Sequence, residues 1–264
     1  MAYDLCLVRT AVHPFEVKPV CTEVYTIEEL CYIFYHNPDL ADDTVMGAPL
    51  CDWVKQELGL ERLSASLRSQ IMRNDSAGSI ILSIFREVGY LSGDELRSFS
   101  ELLNRLDAQP QAVKRKRYGD ALARNRMYAK AARVYMELLD DQENKSLGAQ
   151  FYADVRNNLG SVYAAQFRYR EAAGFYYQAW KTGKKRDCLR RYLSTLPLFL
   201  SDEAYQEKLK EEGIDTEFAR SVQERNAQIC RKAGASAEAE RILQSGLPDY
   251  LKKQRDLWRK SMAG

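Results

Sequence analysis

The chain has 264 residues, 45% of them apolar and 29% charged, the balance of a soluble globular protein with enough length for a real core. No run approaches the roughly 18 uninterrupted apolar residues of a membrane span, and the opening MAYDLCLVRTAVHP has no basic segment followed by an apolar one. A membrane protein and a secretory leader are therefore not expected, and a cytoplasmic location is.

The formal net charge of +2 hides a division. Residues 1–110 hold 9 Lys and Arg against 17 Asp and Glu, and residues 111–264 hold 30 against 20. Such an asymmetry predicts two regions with different surfaces. The basic half could meet nucleic acid, an acidic protein, or the acidic half of the chain itself.

The elements follow in chain order. Residues 3–10 and 17–25 are rich in Val, Thr and Tyr and flank His13-Pro14, which predicts two short strands of a hairpin. At Thr26 the pattern changes. Thr26-Ile27-Glu28-Glu29 is a capping box before the apolar run LCYIFY, and the helix should stop near Asn37-Pro38. A loop over residues 39–49 follows. Trp53, Val54, Leu58, Leu63, Leu67 and Ile71 then predict one broken helix or two consecutive ones, with Gly59 at the break. Ile80, Ile81, Ile84, Phe85 and Val88 line another helix, ended by Gly89. Ser92-Gly93-Asp94-Glu95 is a second capping box, opening a helix with Leu96, Phe99, Leu102, Leu103 and Leu106. Residues 107–110 make a domain boundary. Beyond Pro110 nearly everything reads as helix, in pairs with short turns.

Helix pairs in series call for a repeat search. Counting from Ala153, Leu159 and Gly160 stand at positions 7 and 8, Tyr163 at 11, Ala172 at 20, Tyr176 at 24 and Ala179 at 27. Counting from Ala112, Tyr118, Gly119, Leu122, Ala131, Tyr135 and Leu138 take the same positions 41 residues earlier. Residues 126–128 and 167–169 mark the two turns. The extra residues around 140–146 lengthen a helix or insert a loop. A weaker copy starts at Arg220, with Ala227, Cys230, Ala239 and Leu243, and one degenerate pair fits over residues 187–219. Small residues at 8 and 20 let two helices approach, and bulky ones at 7, 11 and 24 fill the space beside them. The pattern resembles the tetratricopeptide repeat over residues 112–246. Arg156 and Lys184 depart from it, standing where Trp and Pro are frequent. Residues 1–110 resemble no family of known function.

The resemblance implies a mainly α fold: helical repeats in an α-α superhelix, preceded by a small helical domain with a short N-terminal β-hairpin. The domains would be residues 1–110 and 111–264, the latter closed by a capping helix over 250–262. It also implies that ligands lie on the first helix of each pair. That stripe carries Lys116, Asp120 and Arg124 in the first copy, and Asp154, Asn157, Ser161 and Ala165 in the second, with Asn158 alongside. Some members of the family clamp a peptide's C-terminal carboxylate there. Lys116 and Asn158 match that clamp, but Asp120 would repel a carboxylate, and Tyr192 stands where Arg is usual. Lys116, Arg124, Asn157, Asn158 and Ser161 are the expected contacts to a protein or peptide partner.

Other chemistry finds less in the sequence. The six Cys, at 6, 21, 31, 51, 188 and 230, form no C-x-x-C and match no zinc spacing, so they read as small apolar residues in a reducing compartment, with no metal or cofactor. There is no G-x-S-x-G, H-E-x-x-H, Walker A or G-x-G-x-x-G. Only His13 and His36 offer neutral-pH bases. The expectation is a non-enzymatic adaptor or scaffold. The alternative is a nucleic-acid-associated or regulatory protein. It would use Lys114-Arg115-Lys116-Arg117 with Arg124, Arg126, Lys130 and Arg133, and a second cluster of Lys181, Lys184, Lys185, Arg186, Arg190 and Arg191. Tyr118, Tyr128 and Tyr192 lie near these clusters. Self-association of the acidic and basic halves is a third possibility.

Overall fold

A computed structural model of the chain describes residues 9–42, 44–141 and 147–234. It is mainly helical, with one two-stranded sheet among the described residues. No helix there is long and apolar enough to cross a membrane. The chain divides into two compact units, one ending at Met127 and the other beginning at Tyr128. The expected helix over residues 250–262, residues 3–8 of the first strand expected over 3–10, and positions Ala239 and Leu243 lie outside the described residues.

In the first unit, strands β1 (Phe15–Val17) and β2 (Thr22–Val24) pair antiparallel, with Phe15 opposite Val24 and Val17 opposite Thr22. The residues expected to form one strand over 17–25 are thus a turn and a second strand, and the hairpin's first strand follows His13-Pro14. Its turn is residues 18–21, where Cys21 takes a left-handed backbone (φ 48°). Helix α1 (Ile27–His36) opens on the expected capping box: the Glu29 amide donates to the Thr26 hydroxyl, and the Thr26 amide donates back to the Glu29 carboxylate. Helices α2 (Ala48–Gln56) and α3 (Glu61–Met72) are separate, with Gly59 at φ 71° between them. Helix α4 (Ala77–Val88) ends on left-handed Gly89, and α5 (Gly93–Asp107) opens on the second capping box. Helix α6 (Gln111–Arg124) belongs to this unit and packs on a short 3-10 turn, Pro38–Leu40. The core gathers Leu30 and Phe34 of α1, Leu67 of α3, and Ile81, Ile84 and Phe85 of α4, all essentially sealed from water. Phe85 stacks on Phe99 of α5 at 5.2 Å.

The segment ahead of the hairpin is tied to α2. One Glu57 carboxylate oxygen accepts from the Val12 and His13 amides, the other contacts His13 Nδ1 at 2.9 Å, and Trp53 Nε1 donates to the His13 carbonyl. The His13 backbone and ring hydrogen bonds, with that from Val12, hold the Glu57 carboxyl below its usual range. A depressed carboxyl contributes stability above its unfolded value and loses it as pH falls through the folded one. Glu57→Gln should therefore melt below wild type at pH 7, and the gap should close below about pH 4. A thermal melt series in pH checks this, and a gap constant down to pH 3 would refute it.

The second unit comprises α7 (Tyr128–Asp140), α8 (Gly148–Ala165), α9 (Tyr169–Gly183), α10 (Arg186–Thr195), a 3-10 turn at Leu196–Leu198, α11 (Asp202–Glu211) and α12 (Thr216–Gly234). Consecutive helices α7 to α10 pack in series, and α12 packs on α10. Helices α8 and α9 form a tight antiparallel pair. A Cβ at Gly160 would lie 2.8 Å from the Tyr176 ring and 3.2 Å from the Ala172 carbonyl; at the far end, a Cβ at Gly183 would lie 2.7 Å from that of Ala153. Leu159, Tyr163, Ala172, Tyr176 and Ala179 are all buried. In α12 the pattern differs from expectation. Ala227 and Cys230 are exposed, because α12 buries Ala219 and Val222 in its N-terminal half instead.

Four helices end alike. After α3, α6, α8 and α11 the penultimate turn residue is left-handed: Asn74, Arg126, Phe167 and Gly213, with φ between 57° and 63°. At each end two amides reach back to the last helical turn, as Phe167 to the Ala164 carbonyl and Arg168 to that of Tyr163. This is the Schellman arrangement, which satisfies carbonyls the helix leaves open. Arg126 and Phe167 lie 41 residues apart, so the turns of the two sequence copies share one geometry. At α8 the Arg168 guanidinium covers the Tyr163 ring at 4.5 Å.

Gly160→Ala should destabilise the protein by about 1–3 kcal/mol, the cost of overpacking a filled interface. Gly174 is exposed, within α9, and a Cβ there meets nothing within 4 Å. Gly174→Ala should stabilise by about 0.5–1 kcal/mol through helix propensity. Denaturant titration of both variants reads the contrast, and equal effects would contradict the packing described.

Candidate functional site

The expected contact residues fall in both units. Lys116 and Arg124 are on α6 in the first, and Asn157, Asn158 and Ser161 are on α8 in the second. Lys116 spends its ammonium on Asp120 at 2.8 Å, one helical turn away. Arg124 is exposed. Around them the basic run is partly consumed inside the unit. Arg117 forms a two-bond fork with Asp39 at 2.9 and 3.1 Å, and Asn125 donates to Asn37. Burial, followed by Asp42, which also hydrogen-bonds it, pushes the Tyr118 phenol well above its usual value. The acidic first half thus neutralises part of the basic segment that follows it.

The second unit carries a connected polar face between α8 and α10. Asp154 of α8 accepts from Lys185, at the N-cap of α10, at 2.6 Å. One turn pair further along α8, the Ser161 hydroxyl donates to the Asn157 carbonyl at 3.0 Å. The same oxygen accepts from the Tyr176 hydroxyl at 3.1 Å and from Arg191 Nη1 at 2.9 Å. Arg191 Nε donates to Asp187 at 3.1 Å, and Asp187 also pairs with Arg190 at 2.7 Å. Burial works against the Arg191 charge, but the hydrogen bonds to Asp187 and Tyr176 outweigh it and hold the guanidinium above its ordinary value. Between these anchors, Asn157 Nδ2 approaches Asn158 Oδ1 at 3.4 Å, while Asn157 Oδ1 is buried with no hydrogen-bond partner among the described residues.

Ser161 therefore has a different role from the one expected of it. Its hydroxyl is fully occupied by three groups of its own unit and positions Arg191. Arg191 in turn was visible in the sequence only as part of a basic cluster. Its spacing four residues after Asp187 is the signal that places both on one face of α10.

Other features are less directive. A cleft of about 660 Å³ lies beside α7, lined among others by Arg133, Met136, Glu137, Tyr163 and Arg168; its two signs of charge favour neither. In the second basic cluster, Lys181 and Lys184 lie over the Trp180 ring at 5.2 and 5.3 Å, and Arg186 over Phe218 at 5.5 Å. No group of three His, Cys, Asp or Glu among the described residues could hold a metal. Burial pushes the Cys31, Cys51 and Cys188 thiols up, away from the reactive thiolate. His13 is bound to Glu57, and the His36 ring packs tilted against Tyr32 and edge-on against Tyr35. Comparison with protein-family models, curated proteins and solved structures finds no match to this chain.

Ser161→Ala should cost about 1–2 kcal/mol, because it leaves the half-buried Tyr176 hydroxyl and Arg191 short of an acceptor. Asn157→Ala, which removes an acceptor already without a partner, should cost less. Equilibrium denaturation that ranks Asn157→Ala as the more damaging would overturn this assignment of roles.

Proposed function

We propose that the protein is a non-enzymatic, tetratricopeptide-like adaptor that binds a protein or peptide partner in the cytoplasm. The observation that supports this best is the polar face of α8. Asp154, Asn157, Asn158 and Ser161 line up on a helix whose opposite side, Leu159, Gly160 and Tyr163, is committed to the core. Side chains fixed by packing below and hydrogen bonds alongside suit recognition of an extended chain, since little entropy is lost on binding. In this reading Asn157 and Asn158 contact the partner, Ser161 acts through Arg191, and Lys116 and Arg124 serve the α6 surface. The domain division in this reading remains a helical region of unknown role followed by the repeat region.

A second reading is that the basic half binds nucleic acid. It is favoured by Lys184 and Arg186, which lie on aromatic faces and have no carboxylate partner among the described residues. Lysate capture on the immobilised full chain separates the two, with and without nuclease. A discrete protein retained despite nuclease, and lost on Asn157→Ala/Asn158→Ala with the melting temperature held within about 3 °C, is the expected result. Retention that nuclease abolishes, or that the double variant leaves unchanged, would overturn the adaptor reading in favour of the nucleic-acid one or of another surface.

A further inference from the structure

One face of α1 is aromatic and open to solvent. Tyr32 and Tyr35 are 59% and 39% exposed, and His36 beside them is exposed as well. The rings touch: His36 lies 4.3 Å from Tyr32 and 5.3 Å from Tyr35, and Tyr35 lies 5.3 Å from Phe99. Phe99 is buried against Phe85, so the exposed rings are footed on the core of the first unit. Tyr90 closes the cluster. Its ring lies 5.5 Å from Phe85, and burial, followed by Cys31, Tyr32 and Tyr35, holds its phenol above the usual value. The surroundings are acidic. No Lys or Arg occurs from residue 19 to residue 54, and α1, α4 and α5 together hold seven carboxylates against three arginines. Of the two carboxylates on α1, Glu29 is used by the capping box. Glu28, one helical turn before Tyr32, has a buried Oε2 that accepts no hydrogen bond from any described residue. Buried acceptors are normally paired, and leaving one unpaired is costly.

We propose that this face of α1 docks a basic peptide segment of a partner protein, with one arginine lying flat on the exposed tyrosines and donating to Glu28. The surface belongs to the first unit and is independent of the α8 face. A guanidinium suits it because its plane stacks on aromatic rings while its edge donates hydrogen bonds, and it gives up its water more easily than an ammonium. The hydrogen bond to Glu28 is charge-assisted, and it supplies the partner that the buried oxygen lacks. An acidic or phosphorylated segment would meet repulsion from the same carboxylates. A wholly apolar segment would cover the tyrosines and leave Glu28 unpaired. Rings already fixed by packing on Phe99 lose little freedom when a ligand settles on them.

Selection of random dodecapeptides on the immobilised full chain tests this, with depletion on Tyr32→Ala and fluorescence polarisation of the best-enriched peptide. The expected peptides share an arginine. Replacing it by citrulline, which keeps the shape and removes the charge, should weaken binding about tenfold or more, and so should Glu28→Gln in the protein. The two changes together should add little further loss. Lysine in place of that arginine should cost about threefold or more. Tyr32→Ala should cost about fivefold or more, whereas Tyr32→Phe, which keeps the ring, should stay within about twofold. Met72→Ala removes an 86% exposed apolar side chain at the end of α3 and should also stay within about twofold. Should Glu28→Gln or Tyr32→Ala melt far below wild type, the citrulline and lysine peptides still decide the matter on the unaltered chain. Peptides that need Tyr32 but carry no arginine would overturn the proposal, as would additive losses in the Glu28 and citrulline cycle. The absence of any peptide that distinguishes Tyr32→Ala from wild type would overturn it as well. A dimer of the chain that sedimentation shows to dissociate on Tyr32→Ala would make a second copy the occupant and overturn it too.

Discussion

The contact of Tyr176 with Gly160 governs the geometry of the second unit. The ring occupies the place a side chain would take at residue 160, which sets how closely α8 and α9 approach. The hydroxyl of the same residue reaches past the core to Ser161 and Arg191. One side chain thus couples the helix spacing to the polar face. If the helices moved apart, the ring would lose its seat, and Ser161 would lose the hydrogen bond that helps fix the arginine. Positioning by packing is stiffer than positioning by hydrogen bonds alone, because a filled interior resists displacement in every direction.

Charge plays a different part in each unit. In the first, the acidic segment is used internally: Asp39 takes Arg117, and Asp42 takes the Tyr118 hydroxyl, so α6 is moored to the 3-10 turn at Pro38–Leu40. Both partners of the Arg117–Asp39 fork are largely shielded from water, which makes it worth more than an exposed pair. In the second unit, Asp154 takes Lys185 and Asp187 takes both Arg190 and Arg191, while Lys184 and Arg186 lie on aromatic faces.

The sequence was most readable where the physics is local. The capping boxes at Thr26 and Ser92 are four contiguous residues, and the breaks at Gly59 and Gly89 follow from one residue type each; all four stand where expected. The turns closed by Cys21 and Asn74 were not readable as such, whereas those at Arg126 and Phe167 were read only through the repeat spacing. Cys21, Arg126 and Phe167 adopt left-handed backbones that their side chains disfavour, and Asn74 one that it tolerates, each held by the amide-to-carbonyl bonds of the helix end or hairpin. The hairpin turn was missed for that reason: residues 17–25 read as one strand, whereas the chain turns at residues 18–21. The polar stripe on α8 was legible through its i, i+4 spacing, but the use of each residue was not. Whether Ser161 faces a ligand or an arginine depends on a residue 30 positions later, and no local pattern encodes that distance.

The same logic bears on why a serine stands at residue 161. A threonine would offer the same hydroxyl, but its extra methyl would restrict the rotamer and crowd the helix interface. An asparagine would add a donor where three bonds are already made. Serine has one oxygen with a donor and two acceptor sites, and the surroundings use all of them: one bond out to the Asn157 carbonyl, two in from Tyr176 and Arg191. A fully used hydroxyl confers order but has nothing left for a ligand.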